Sequence, residues 1–112
     1  MSEPMVVLMT ASSQEEAEKI AQTLVGELLA ACVNVIPGVI SVYRWEGAVQ
    51  LDQEWLLVAK TRRDVLDGLV QRVQALHSYD VPELIALPIT GGSEAYLRWI
   101  DQEVHGSWHA VT

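Results

Sequence analysis

The most constraining feature of this 112-residue sequence is a long, β-prone stretch in its middle. Residues 39–45 and 48–61 are rich in branched and aromatic side chains, and Glu46-Gly47 between them favours a tight hairpin turn. The segment 51–53 is a second candidate for the turn or for a bulge. Both strands exceed the mean strand length of about 5 to 6 residues. A single subunit would leave much of this ribbon exposed, so we expect an oligomer to bury it.

An apolar strand and an amphipathic helix precede the hairpin. Residues 5–10 form a continuous apolar run, which is typical of a central strand buried on both faces. A capping box at Ser13 and Glu16 predicts the start of a helix. Its apolar stripe consists of Ala17, Ile20, Ala21, Leu24, Val25 and Leu28. Residues 30–36 then predict a short strand that bends at Pro37-Gly38 before the chain continues into the hairpin.

Another helix and another strand follow the hairpin. Asp64 is the candidate N-cap of the second helix, which is expected to end near His77. Its apolar stripe consists of Leu66, Leu69, Val70, Val73 and Leu76. Residues 84–89 predict a second buried strand, in which Pro88 indicates a sheet edge or a strand end. Ser93 is the expected cap of a third, shorter helix, and the tail 107–112 is expected to be loose unless Trp108 docks.

This order of elements predicts one α+β domain over residues 1–112, a ferredoxin-like βαββαβ sandwich with a long central hairpin and an extra C-terminal helix. Two helices would cover one face of the sheet. The other face also needs a cover, which three subunits placed sheet to sheet would supply.

Charge and cysteine content argue against several classes of protein. The formal charge of -8 repels phosphate backbones and anionic lipid surfaces, so neither nucleic acid nor a membrane is an expected partner. Cys32 is the only cysteine, which rules out an intrachain disulfide and favours a reducing cytoplasm. Residues 1–4 lack the basic character of a targeting segment.

Few soft metal ligands are available. Cys32 and His77 are the candidates for a metal site, although a tight copper or zinc site normally needs three or four ligands. Each has a structural alternative, because Cys32 can be an inert buried residue and His77 can close a helix C-terminus. His105 and His109 lie in the terminal segment, where we expect at most weak chelation.

A second candidate site combines aromatic and charged side chains. Glu54 and Lys60 have the same strand parity and therefore point to one face of the sheet. They belong either to an ion-pair network at a subunit interface or to an intersubunit cleft that holds a metal or a small polar ligand. The full set of cleft candidates is Tyr43, Trp45, Glu54, Lys60, Tyr79 and Glu83.

The sequence contains no recognisable catalytic motif. It has no glycine-rich phosphate loop, no HExxH, no CxxC and no nucleophile elbow. Gly91-Gly92 before Ser93 is interpreted as a turn and a helix cap. The chain is therefore not expected to be an enzyme, and the alternative is an acid-base cluster of Glu54, Lys60, Tyr79 and Glu83.

Five ordered blocks of the sequence resemble the CutA family, which is named for divalent cation tolerance and is structurally related to the PII signalling proteins. The blocks are residues 29–34 (LAACVN), residues 41–47 (SVYRWEG), Glu54 with Lys60-Thr61, residues 77–83 (HSYDVPE) and residues 96–99 (YLRW). Together they extend over nearly the whole chain.

The resemblance implies a ferredoxin-like, PII-like homotrimer in the cytoplasm, connected with tolerance of copper and other divalent metals and without an established reaction. Ser78 stands where the family usually has proline. Met9 and Leu76 stand where some members carry a cysteine and a histidine associated with copper. Copper or other divalent cations are therefore expected to bind weakly and not as a required cofactor, and a PII-like adaptor that binds a small metabolite is the alternative.

Overall fold

Residues 2–105, which the computed structural model describes, form a four-stranded antiparallel sheet and three α-helices. In chain order the elements are β1 (Pro4–Ala11), α1 (Gln14–Gly26), β2 (Cys32–Trp45), β3 (Ala48–Arg62), α2 (Leu66–Leu76), β4 (Leu84–Pro88) and α3 (Glu94–Glu103). The strands lie in the order β2-β3-β1-β4, with every pair antiparallel. This arrangement confirms the ferredoxin-like prediction. The expectations for the tail, including Trp108, lie outside the described residues.

The main core lies between the sheet and the first two helices. β1 is central, as its apolar sequence predicts, and its side chains at Val7 and Met9 are fully buried. The Ser13 side chain caps α1 by accepting a hydrogen bond from the Glu16 backbone N–H at 3.1 Å. Val25 and Leu28 were expected in the apolar stripe but are about 40% exposed, because α1 ends at Gly26 and the chain turns away at Leu28, whose φ is 65°.

The hairpin turns at the predicted pair. Glu46 and Gly47 have φ values of 50° and 80°, as a type I′ turn requires, while residues 51–53 lie inside β3. The predicted break at Pro37-Gly38 is a bulge within the continuous strand β2. Gly38 adopts a φ of 78°, so the strand bends there without ending.

Among the described residues, no third strand lies beside the outer part of the hairpin. β3 pairs with β1 only from Trp55 to Arg62, so residues 39–54 form a two-stranded ribbon, here named the hairpin arm. One face of the arm exposes Ile40, Val42, Val49 and Leu51. The Cα radius of gyration, 14.5 Å, exceeds the roughly 13 Å typical of a chain of this length, in keeping with a projecting arm.

The helix α2 begins differently from the sequence prediction. Asp64 is not its N-cap, because a 3-10 turn at Arg63–Val65 precedes the helix and no side chain caps Leu66–Leu76. The Asp64 carboxylate instead accepts two hydrogen bonds, of 3.0 and 2.8 Å, from the Arg62 guanidinium. The same guanidinium also contacts Asp101 on α3. The Arg62 guanidinium therefore links β3 to α3 through Asp101. Because it also binds the Asp64 carboxylate, that carboxylate does not cap α2.

The Gly47→Ala variant tests the hairpin turn. Alanine at a φ of 80° is strained, so we expect the free energy of unfolding to fall by about 1 kcal/mol. Chemical denaturation measures the change. Gly26→Ala is the matched control, since it lies at the end of α1 with open space around its Cα and should not destabilise the protein. Equal stability of the two variants would contradict the turn assignment.

Candidate ligand cleft

A cleft of about 700 Å³ opens where the loop after α2 passes the base of the hairpin arm. One wall comes from the arm and the other from residues 79–83. The cleft is lined by Thr10, Ser41, Val42, Tyr43, Trp45, Glu54, Tyr79, Asp80, Val81, Pro82 and Glu83. Five of the six predicted cleft residues therefore meet within a single subunit, and Lys60 is the exception.

Glu54 is the deepest acidic group of the cleft, with only 6% of the residue exposed. Its Oε2 accepts a hydrogen bond of 3.0 Å from the Tyr79 hydroxyl. Burial and this hydrogen bond raise the pKa of Tyr79 to about 12, so the phenol stays protonated and remains a donor at neutral pH. On the arm, the Tyr43 hydroxyl donates to the Asp52 carboxylate, which raises the pKa of Tyr43 as well.

His77 holds the loop against the sheet. Its side chain is fully buried, and its Nε2 lies 2.7 Å from the carbonyl oxygen of Thr10. Its Nδ1 accepts a hydrogen bond of 3.0 Å from the Tyr79 backbone N–H. These partners assign the neutral tautomer with the proton on Nε2. The His77 ring also contacts the Tyr79 ring, with centroids 4.7 Å apart, so the histidine positions the tyrosine that reaches Glu54.

Glu16 provides a second tether for the same loop. Its carboxylate accepts hydrogen bonds from the backbone N–H groups of Ser12 (3.0 Å) and Ser78 (2.8 Å). Burial alone would raise the pKa of Glu16, but the hydrogen bonds from Ser12 and Ser78 lower it below its ordinary value. The loop that forms one wall of the cleft is thus fixed to β1 through His77 and to the start of α1 through Glu16.

Glu16→Gln tests this tether. Because the folded-state pKa of Glu16 is lowered, its charge stabilises the fold above the unfolded pKa, and that stabilisation is lost as pH falls through the folded value. We expect the variant to lose about 1 kcal/mol at pH 7 and to approach the parent protein below about pH 4. Thermal unfolding across this pH range measures the difference, with exposed Glu15→Gln as control. A deficit that does not change with pH would contradict this role.

The structure does not support the predicted His77 and Cys32 metal ligands within one subunit. Both His77 nitrogens already have protein partners, so neither offers a free lone pair. Cys32 pairs through Lys60 with Val6, which is four residues along β1 from Thr10. It therefore lies about 13 Å along the strand direction, and two strands across the sheet, from the His77 end of β1. Between residues 2 and 105, no group of three or more histidine, cysteine or acidic side chains is arranged to hold a metal.

Lys60 also lies away from the cleft. It shares the face of Glu54, as strand parity predicts, but six residues of extended chain separate the two by roughly 20 Å. Its ammonium group donates to the side-chain oxygen of Asn34 on β2. The alternative acid-base cluster of four residues therefore lacks its basic member at the cleft, and the remaining Glu54, Tyr79 and Glu83 include no group that is positively charged at neutral pH.

The cleft is acidic and aromatic. It contains the carboxylates of Glu54, Asp80 and Glu83, and no lysine or arginine from the described part of the chain, residues 2–105, lines it. Asp80 was not among the predicted cleft residues, although it lies inside the 77–83 segment beside Tyr79. Thr10 and Ser41 were also missed, because nothing local in the sequence shows that the end of β1 and the outer half of β2 lie beside this loop. Such a site can attract cations and can contact apolar groups with its rings.

Fold and cleft together define a class: a ferredoxin-like domain with an open, acidic cleft and a projecting two-stranded arm. The family model described as "CutA1 divalent ion tolerance protein" matches residues 5–103. The chain belongs to this CutA1 family, as the resemblance in the sequence predicted.

Individual relatives agree with this assignment. The chain is 56% identical over 95 residues to the chloroplastic protein CutA of Arabidopsis thaliana, covering 85% of this chain and 52% of the relative. It is 54% identical over 95 residues to the divalent-cation tolerance protein CutA of Thermus thermophilus, covering 85% of this chain and 92% of that protein. The chain thus spans about half the length of the Arabidopsis relative but most of the bacterial one.

Solved structures of CutA proteins have the same fold. The divalent cation tolerance protein from Thermus thermophilus superposes with a TM-score of 0.90 at 50% identity, covering 91% of this chain and 99% of that one. CutA1 from Oryza sativa superposes with a TM-score of 0.90 at 48% identity, covering 93% of this chain and 95% of the Oryza chain. Within residues 2–105, no helix is long and apolar enough to cross a membrane.

Proposed function

We propose that this chain acts in divalent-cation tolerance as a cytoplasmic homotrimer that binds copper or other divalent cations weakly and reversibly, without catalysing a reaction. The observation that carries the proposal is the composition of the cleft, in which three carboxylates line the walls and no basic side chain of residues 2–105 joins them. Membership of a family described by divalent ion tolerance supports the same role. The lone Cys32 suits a reducing compartment.

The ligand types in the cleft imply weak binding. Carboxylate and hydroxyl oxygens suit hard divalent ions, and Cu(II) and Zn(II) also accept carboxylate ligands. Because the described residues hold no cluster of three acidic, histidine or cysteine ligands, water has to complete the coordination shell. We expect dissociation constants on the order of 10⁻⁴ to 10⁻³ M, as in open sites with oxygen ligands. Such affinities fit reversible buffering and not a permanently bound cofactor.

The proposed trimer rests on the hairpin arm and on the sheet face opposite α1 and α2. An isolated two-stranded ribbon is only marginally stable in water, yet the arm exposes Val42 and Leu51 by 63% and 66%. The opposite sheet face carries further apolar side chains that are half-buried or exposed: Val6, Leu8, Leu56, Val58, Ile85 and Leu87. Patches of this kind mark association surfaces, and a closed ring of three copies would cover both.

Calorimetric titration of the metal-free protein with Cu(II), Zn(II) and Mn(II) tests cation binding. Glu54→Gln removes the buried charge while keeping a side chain that accepts from Tyr79, and we expect it to weaken cation binding about tenfold. Cys32→Ser is the matched control and should leave the heats unchanged. If Glu54→Gln has no effect while Cys32→Ser abolishes binding, the metal site is at the cysteine and not in the cleft.

A PII-like adaptor is the second candidate, and the size of the cleft favours it. About 700 Å³ is far more than one ion occupies and lies within the range of small-molecule sites. In that role a bound metabolite would alter the affinity of the trimer for another protein. A thermal-shift screen of small molecules, in which only cleft ligands lose their effect in Glu54→Gln, tests this reading.

A further inference from the structure

The cleft combines two features that a bare metal ion does not use together. Tyr43, Trp45 and Tyr79 are exposed by 41%, 53% and 37%, so three aromatic rings border the same cavity. Beneath them lies the Glu54 carboxylate, which is almost completely buried. A strongly hydrated dication gains little from aromatic rings, whereas a weakly hydrated organic cation is attracted to them.

Glu54 also has no charged partner within residues 2–105. Its one hydrogen bond comes from the neutral Tyr79 hydroxyl, and no basic nitrogen of residues 2–105 forms an ion pair with it. Every buried polar side-chain atom of these residues nevertheless has a partner, so the second carboxylate oxygen is not sealed in the protein. This oxygen therefore faces the cavity, where a positively charged group can pair with it away from bulk solvent.

We propose that the cleft binds a small organic cation of the substituted-ammonium class, with its charge on Glu54 and its alkyl groups against Tyr43, Trp45 and Tyr79. This inference rests on the cleft being the ligand site of the proposed function, and it names the ligand class of the adaptor candidate. Asp80 and Glu83 at the exposed loop wall add to the negative potential at the entrance. Neutral and anionic compounds of the same shape lack the pairing with Glu54 and are excluded.

Nuclear magnetic resonance of the ¹⁵N-labelled full chain tests the proposal with two probes of matched shape. Choline carries the charge, and 3,3-dimethylbutan-1-ol is its uncharged counterpart. We expect choline to cause saturable shifts of the Trp45 indole N–H and the Tyr79 amide, and the alcohol to bind at least tenfold more weakly. Equal shifts from both compounds, or no saturable shift from choline, would overturn the proposal.

Two pairs of variants locate the site. Trp45→Leu is expected to weaken choline binding about tenfold, while Trp99→Leu on α3, outside the cleft, leaves it unchanged. Glu54→Gln is expected to weaken it at least tenfold, and unchanged affinity in this variant would contradict the inference. Metal titrations on the same samples separate the two proposals. Choline binding without metal binding would refute only the proposed cation tolerance mechanism, and metal binding without choline binding would refute only this inference.

Discussion

Replacing Val42 and Leu51 together with aspartate is expected to convert the proposed trimer into monomers, reducing the mass measured by light scattering to one third. The two residues face each other across the hairpin arm as a direct cross-strand pair, and both are strongly exposed. Two adjacent carboxylates there repel each other and must be desolvated when an interface forms. We expect the two charges to cost several kcal/mol of binding free energy at each interface. A loss of this size is enough to dissociate the trimer at the concentrations used for light scattering.

The matched control places the same two charges on helix surfaces. Gln22→Asp with Gln71→Asp changes exposed residues of α1 and α2, and this variant should keep the mass of the parent protein. A parent chain that is monomeric at all concentrations would contradict the proposed trimer. If the trimer survives the arm substitutions, its interface lies on the sheet face opposite α1 and α2 and not on the arm.

His77→Ala is the second change with a large expected effect. It removes a fully buried ring and leaves the Thr10 carbonyl and the Tyr79 N–H without their partners. We expect a loss of about 2 to 4 kcal/mol in the free energy of unfolding and a strong increase in hydrogen exchange at the Tyr79 amide. Urea denaturation and native-state hydrogen exchange measure the two effects.

His105→Ala is the control for this prediction, because its side chain is exposed and only its backbone N–H forms a hydrogen bond, to Leu28. It should change stability by less than about 0.5 kcal/mol. The competing interpretation makes His77 an open metal ligand, in which case His77→Ala would abolish copper binding at little cost in stability. That result would contradict the structural role assigned to the ring.

Local sequence patterns predicted the features that depend on local chemistry. Glu46-Gly47 supplies the positive φ values that a type I′ turn needs, and Ser13 supplies a side-chain cap, so both could be predicted from neighbouring residues. Asp64 shows the limit of this approach. Its carboxylate would suit a helix cap, but the Arg62 guanidinium is a stronger partner, and Arg62 is held in turn by Asp101 from a distant helix.

The candidate site could be predicted only in part, because some of its contacts join residues that are distant in the sequence. Strand parity placed Glu54 and Lys60 on one face correctly, but parity gives no distance along the strand, and the two lie far apart. The contact between Tyr79 and Glu54 joins residues 25 positions apart and depends on His77 folding the loop over the end of β1. Only the three-dimensional structure shows that the histidine, which the sequence suggested as a ligand, is a fixed support for the tyrosine.

The hairpin arm also bears on how the protein reaches its final state. Its strands pair only with each other beyond Trp55, so contacts from the rest of the same chain add little to its stability. In the proposed trimer, the last ordering step then requires collision between subunits and slows with dilution. The melting temperature would rise with protein concentration. In dilute solution the sheet and helices would be folded while the hairpin arm was partly unfolded.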